Sequence, residues 1–355
     1  MLLNVQALRG LAAFLVVFVH LETLARLAGL PAGITVFGNS GVDVFFVISG
    51  LIMVVTTSGR RQTPQGFLRN RLTRIAPLYW AITLAVFALA VVAPSLLQST
   101  TADPIQLAKS LAFIPYARAD GAMHPVVFVG WTLNYEMAFY VIFALGLLLP
   151  SRRAGLALSI AVLAAAAAAG LVLRPADPVL AFYTAPMILE FGAGMLLGAL
   201  FVADRLPRSR AAGWIAVAAG AAAFAVMVLA PTLWPSVDRA WAAGIPALVI
   251  VTSGLVAERA GLVLRQGWIQ LLGASSYATY LTHFFCTQVV SKAGERLAGL
   301  GPAMAWALIP VAFVLVAMVG VFAHRRIELP LTELARRWLA PLGPRPRPTI
   351  AGGAW

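Results

Sequence analysis

The sequence predicts an all-α, polytopic membrane protein with about ten transmembrane helices and both termini cytoplasmic. Composition is the first reason: 61% of the 355 residues are hydrophobic and only 11% charged, with a mean hydropathy of +0.89. A soluble domain is about 45–50% apolar and about 25% charged, so this chain could not solvate its own surface. Second, apolar stretches recur at close to the ~20 residues needed to cross the hydrocarbon core. Third, Lys and Arg alternate between successive connections. With the N-terminus inside, 18 fall on the inner side and seven on the outer, and Arg9 lies within the first stretch. This is the positive-inside bias.

The expected spans are 5–27, 40–58, 75–97, 126–149, 154–173, 179–202, 211–231, 240–257, 269–290 and 302–323. The first is too long for the apolar core of a signal peptide and lacks a small-residue cleavage site, so it reads as a mature helix. The inner segment RRQTPQGFLRNRLTRIAPLYW carries five arginines with Phe67, Leu68 and Leu72 among them, the pattern of an interfacial amphipathic helix. The longest outer connection, 98–125, holds Pro104, Pro115 and Pro125 with few charges, consistent with a cap over an external cavity. The fifth and seventh spans are alanine-rich, suited to close helix packing. Residues 1–335 read as one membrane domain, and 336–355 as a short cytoplasmic, disordered tail rich in Pro and Gly.

A net charge of +13 and a pI near 11.1 would ordinarily suggest nucleic acid. The arginines sit in alternate loops, so topology accounts for the charge and no nucleic-acid partner is expected. The single cysteine, Cys286, excludes an internal disulfide.

Several polar groups sit at membrane depth. Arg9 and His20 are eleven residues apart, only about 20° beyond three helical turns, so they share a helix face about 16 Å apart along the axis. Glu136 in GWTLNYEMAFY and Glu190 in APMILEFGAGMLLG fall near the midplane, with Tyr140 one turn beyond Glu136. Asp43 in GVDVFFVISGL enters just below the outer surface. His283 in SSYATYLTHFF shares a face with Thr279 and Tyr280. Ionisable groups at such depth face a bundle interior or a wet cavity. Each also has a plainer reading: Arg9 can snorkel to headgroups, and His20 can make one interhelical hydrogen bond. For Glu136 and His20 the functional reading is favoured. For His283 and Asp43 the residues leave both readings open. Glu190 precedes Gly192, Gly194 and Gly198 and is better explained by a small-residue packing seam.

The stretch LNVQALRGLAAFLVVFVH, with ten residues between its arginine and its histidine, resembles the acyltransferase-3 family of integral membrane acyltransferases. GVDVFFVISGL, FLRNRLTRIAPLYW, WTLNYEMAFY and SSYATYLTHFF follow in that family's order, so the resemblance covers essentially the whole chain. It looks most like the exopolysaccharide O-acetyltransferase branch. The family's arginine–histidine motif falls on Arg9 and His20, and its RxxR motif on Arg71 and Arg74. Its SGF signature reads Ser49-Gly50-Leu51 here, keeping the small pair and losing the aromatic ring.

The resemblance implies an O-acyltransferase that moves an acetyl or other short acyl group from cytoplasmic acyl-CoA to a hydroxyl of an extracytoplasmic or lipid-linked polysaccharide. The expected location is the inner (cell) membrane. Acyl-CoA is a co-substrate, no permanently bound cofactor or metal is expected, and polysaccharide-assembly proteins are candidate partners. The residues fit independently. Coenzyme A carries phosphates, which guanidinium groups grip with forked, charge-assisted contacts. Arg69, Arg71 and Arg74 could equally attract anionic lipid, and the resemblance decides for the donor at Arg71 and Arg74, with Arg9 beside its pantetheine arm. His20 is the candidate general base, an imidazole being suited to proton transfer near neutrality. Glu136 is expected to stabilise its imidazolium, and an acyl-histidine intermediate is the variant mechanism. Asp43, Tyr140, Tyr280 and His283 are candidates for contacting the acceptor or supporting the site. The rival reading is an exporter of lipid-linked sugars in which the midplane charges line a translocation path.

Overall fold

The computed structural model describes residues 2–59, 62–96, 100–118 and 121–339. Among these the regular structure is entirely helical. Its elements are α1 (Leu3–Val19), α2 (Glu22–Leu27), α3 (Ser40–Ser58), α4 (Pro64–Val92), α5 (Pro104–Leu111), α6 (Trp131–Gly146), α7 (Arg152–Leu173) and α8 (Pro178–Tyr183). They continue with α9 (Leu189–Val202), α10 (Arg210–Leu233), α11 (Arg239–Ala242), α12 (Gly244–Arg259), α13 (Gly267–Ala274), α14 (Ser276–Arg296), α15 (Pro302–Ala323) and α16 (Leu329–Trp338). Eight helical stretches are long and apolar enough to cross a membrane. The two other expected spans are helical but fall short for separate reasons. α1 has only 17 residues, and α14 carries SYATYLTH in its first turns, too polar for a lipid-facing helix. Both are packed in the interior, where polar side chains are tolerated.

The helices sort by how much lipid they meet. The most apolar window of the stretch ending in α3 is 67% buried, against 17% for α7, and those of α10 and α15 are also mostly outward-facing. α3 is central, packed on α1, α9 and α12. In lipid there is no hydrophobic drive between helices, so close backbone approach through small residues must supply the packing. A Cβ on Gly50 would fall on the carbonyl oxygen of Phe191, and one on Gly194 on that of Val47. The glycine seam read beside Glu190 is thus the α3–α9 contact.

Three expectations change. The span drawn over 5–27 is broken: α1 stops at Val19, and the amides of His20 and Leu21 turn back to Val17 and Phe18 at 3.1 Å each before α2 begins. The arginine-rich segment is not a separate interfacial helix. It is the start of α4, capped by Thr63, whose hydroxyl accepts from the Gly66 amide. At 29 residues α4 is about 43 Å long, so its first turns extend past a ~30 Å hydrocarbon core; Phe67 is buried rather than facing lipid. The outer connection is a folded flap. It contains α5, and the Ser110 hydroxyl accepts from the Val126 amide at 3.0 Å. α16 carries helix three residues past the expected boundary at 335; the remaining tail, 340–355, lies outside the described residues.

Candidate active site

Two chambers are stacked along α6, whose inward stripe reads Phe128, Thr132, Glu136, Tyr140 at four-residue spacing, with Phe128 in the turn that precedes the helix. The lower chamber is a cavity of about 200 Å³ that brings together Arg9, Arg71, Arg74, Glu136, Tyr140 and Tyr280 with Ser49. Their positions follow from helical periodicity. Arg71 and Arg74 are three apart on α4, and Glu136 and Tyr140 four apart on α6, so each pair shares a face.

The charge balance of this chamber is uneven. Arg9 lies in the field of Arg74, with Glu136 and Glu328 the carboxylates in reach. Glu328 is already held by His324 Nδ1 at 2.7 Å, across the widened π turn His324–Glu328 that joins α15 to α16. Arg71 donates to the Thr56 hydroxyl at 2.8 Å and lies over the rings of Phe67 and Tyr140 at 5.2 and 5.6 Å. Among the described residues none of the three guanidiniums has an ion-pair partner within 4.0 Å. One Glu136 carboxylate oxygen is buried without a hydrogen bond. Three cations and one and a shared fraction of carboxylates, walled by apolar side chains, make a site already arranged for an anion. Arg69 is not part of it: it donates to the Leu339 carbonyl.

Between the arginine chamber and the upper one two imidazoles meet, and neither ring lines either cavity. His20, at the break after α1, has its ring centroid 5.1 Å from that of His283 on α14, and meets Phe128 and Phe284 edge-on at 5.7 and 5.3 Å. His283 is fully buried. Its Nδ1 is 2.6 Å from the Tyr280 carbonyl oxygen, which only an N–H can satisfy, so Nε2 carries a lone pair and has no partner. Glu136 is not among the ring or hydrogen-bond partners of His20. Its neighbours are Tyr140, Ser49 and the arginines, so the expected carboxylate–imidazole pairing is replaced by an imidazole pair above and a carboxylate among guanidiniums below.

Between the chambers stands a partition. The Tyr280 hydroxyl donates to the Val129 carbonyl at 3.0 Å and lies 2.9 Å from the Thr132 hydroxyl, while Phe45 packs on the Tyr280 ring at 5.9 Å. Above it a second cavity of about 270 Å³ shares Phe128 and Phe284 with the surroundings of His20 and adds Thr100, His124, Gln288 and Lys292.

Asp43 lies in neither cavity. Its Oδ2 accepts from Arg239 Nε and Nη2 at 3.1 and 2.7 Å, its side chain is fully buried, and Glu190 is beside it. An acceptor-contacting role for Asp43 therefore gives way to a buried ion pair that fastens α11 to α3. Arg239 was invisible as its partner because nearly two hundred residues separate them. Ser49, Thr132, Phe128 and Phe284 were also missed. Ser49 and Thr132 lie inside quoted motifs, but a lone hydroxyl carries no signal until its helix face is known.

Comparison with known proteins agrees with this architecture. A family model described as an acyltransferase domain matches residues 2–325. The exopolysaccharide production protein ExoZ of Rhizobium meliloti (strain 1021) is 37% identical over 303 residues, covering 84% of this chain and 91% of that one. The acyltransferase MdmB of Streptomyces mycarofaciens is 27% identical, covering 94% of this chain and 92% of its own. No solved structure matches. With a family model spanning nearly all of the folded region, the chain belongs to the acyltransferase-3 family and is a multi-pass membrane acyltransferase.

Proposed function

We propose that the protein transfers an acetyl, or another short acyl group, from cytoplasmic acyl-coenzyme A to a hydroxyl of an extracytoplasmic or lipid-linked polysaccharide at the inner membrane. The observation that carries this reading is the stacking of an unneutralised arginine chamber beneath an imidazole pair, about 16 Å apart by helix rise between Arg9 and His20. Phosphates of the donor meet Arg71 and Arg74, and the thin pantetheine arm passes Arg9 and the Tyr280 partition to bring its thioester to His20. The acceptor enters through the cavity walled by Phe128 and Phe284. The likeness to an exopolysaccharide production protein supports a polysaccharide acceptor.

At the thioester the chemistry needs one base. The acceptor hydroxyl gives its proton to an imidazole nitrogen of His20 as its oxygen attacks the carbonyl carbon. The carbon–sulfur bond then breaks, and the leaving thiolate recovers the proton from the imidazolium. His283 is the second ring in reach, its Nε2 free to accept. Base assistance of this kind contributes on the order of 10²–10⁴ in rate. Glu136 acts below, holding the arginine cluster in register when the donor is absent.

The test is transfer of label from radiolabelled acetyl-CoA to crude glycan fractions by the purified protein in vesicles, wild type against His20→Ala. Label in glycan that depends on His20 supports the reading. Glycan movement across the vesicle without consumption of acetyl-CoA would replace it with export.

A further inference from the structure

A third cavity, at the inner ends of α3, α6, α7 and α9, has about 370 Å³, more than either active-site chamber. Its wall is apolar through Val54, Phe143, Leu147 and Leu156, and Arg152 and Arg153 also line it, at the start of α7. By the alternation of positive charge all four helix ends face the cytoplasm. Only one aromatic layer divides it from the arginine chamber. Phe67 packs on Tyr140, which lines the arginine chamber, at 6.0 Å and on Phe143, which lines this cavity, at 5.1 Å. Arg71 lies over both Phe67 and Tyr140, and its hydrogen-bond partner Thr56 immediately precedes Thr57 in the cavity wall.

We propose that this cavity seats the phosphorylated adenosine end of the acyl-CoA donor, with Arg152 and Arg153 meeting its ribose phosphate. The proposal rests on the donor being a coenzyme A thioester. Size agrees, since pockets for ligands of this class begin at about 300 Å³. Charge agrees as well. Neither arginine has an ion-pair partner among the described residues, and Asp204, next to wall residue Ala203, is engaged by Arg208 and Arg259. An apolar slot beneath two guanidiniums accepts a flat base and an anion together. Distance along the donor fits the same order: adenosine and ribose phosphate here, pyrophosphate at Arg71 and Arg74, pantetheine upward along α6. The competing occupant with the same charge is an anionic phospholipid, whose tail would fill the apolar part.

The test compares three donors, acetyl-CoA, acetyl-dephospho-CoA and S-acetylpantetheine, for the wild type and for Arg152→Gln/Arg153→Gln in vesicles of fixed lipid composition. Wild type is expected to have a KM for acetyl-CoA about tenfold below that for the dephospho donor, the worth of one charge-assisted contact. The double variant is expected to lose that difference by raising the KM for acetyl-CoA alone, and Arg152→Lys/Arg153→Lys to keep most of it. A variant that weakens all three donors equally, or whose defect is reversed by phosphatidylglycerol, overturns the proposal in favour of a lipid seat. A wild type that uses none of the three donors removes the coenzyme A reading itself, and is recognised without any variant.

Discussion

The imidazole of His283 lies 5.1 Å from that of His20, and its Nδ1 is committed to the Tyr280 carbonyl, leaving Nε2 as a buried acceptor without a partner. The two rings are therefore not equivalent. His20 stands at the helix break beside Phe128 and Phe284, which wall the cavity proposed to admit the acceptor. His283 is fixed from behind. His20→Gln is expected to lower transfer by about 10²–10⁴-fold with unchanged protein level. His283→Gln should cost less than that, because an amide can still accept a hydrogen bond as His283 Nε2 does but cannot take up the proton, which is the step proposed for His20. Initial rates at matched expression decide, and equal losses at both positions would mean the rings act as one unit.

On the proposed function, variants in the arginine chamber test donor binding apart from chemistry. Arg71→Lys keeps the charge but loses the flat fork that reaches Thr56 and lies over Phe67 and Tyr140, so it is not conservative here. Charge-assisted hydrogen bonds contribute about 1.5–3 kcal/mol each. The expected result is a KM for acyl-CoA raised on the order of 10- to 100-fold for Arg71→Lys and Arg74→Ala, read by donor titration at saturating acceptor.

Glu136→Gln tests the reassigned carboxylate. If Glu136 offsets the guanidiniums, removing its charge leaves the empty protein with more unpaired positive charge and the donor-bound protein with a better partner. The variant should melt lower without coenzyme A and gain more than wild type when it is added, since a ligand stabilises the state it binds. Affinity for coenzyme A should rise several-fold, opposite in sign to the arginine variants. A rate loss with no change in affinity would return Glu136 to the imidazoles. Thermal melts with and without coenzyme A distinguish the two.

How much of this was legible beforehand differs between the chambers. Arg9, Arg71 and Arg74 line one cavity, and Glu136 with Tyr140 one turn on lines it too; charged groups placed in apolar helices announce themselves against their surroundings. The fold class was legible for the same reason, from apolar length and loop charge. Asp43 gave the same signal and is engaged by Arg239 instead. A buried carboxylate looks identical in sequence whether it awaits a substrate or is already held by an arginine brought in from a distant helix. Glu136 was expected beside His20 and lies among the guanidiniums, because helical spacing gives a face and a depth, but not which side chains other helices bring to that depth. The break at His20 was also invisible: no proline or glycine marks it.

The ion pair gives a stability prediction free of catalysis. Asp43 is fully buried and its Oδ1 has no hydrogen bond, so Arg239 is its sole countercharge among the described residues. Removing one partner of a fully buried pair costs about 3–5 kcal/mol, whereas replacing both by apolar groups is often neutral; with the Arg239 side chain 36% exposed, solvent screening puts the cost here below that range. Arg239→Met should lower the melting temperature clearly, and Asp43→Leu/Arg239→Met should recover most of the loss.

The partition predicts leakage. Tyr280→Phe removes one of the two hydroxyls that donate to the Val129 carbonyl, the Thr132 hydroxyl being the other at 3.2 Å, a net loss of about 0.5–1.5 kcal/mol, while keeping the ring that packs on Phe45 and His283. A loosened divide opens a second route for water, from the arginine chamber along the pantetheine arm, to the thioester proposed to lie at His20 before an acceptor arrives. The expected outcome is faster hydrolysis of acetyl-CoA in the absence of glycan and a lower fraction of label transferred when glycan is present. Thr132→Val should act in the same direction more weakly, since the Tyr280–Val129 hydrogen bond survives. Thiol release measured with and without acceptor reads both effects, and a Tyr280→Phe protein with unchanged coupling would show that the two chambers are divided by something other than this hydroxyl.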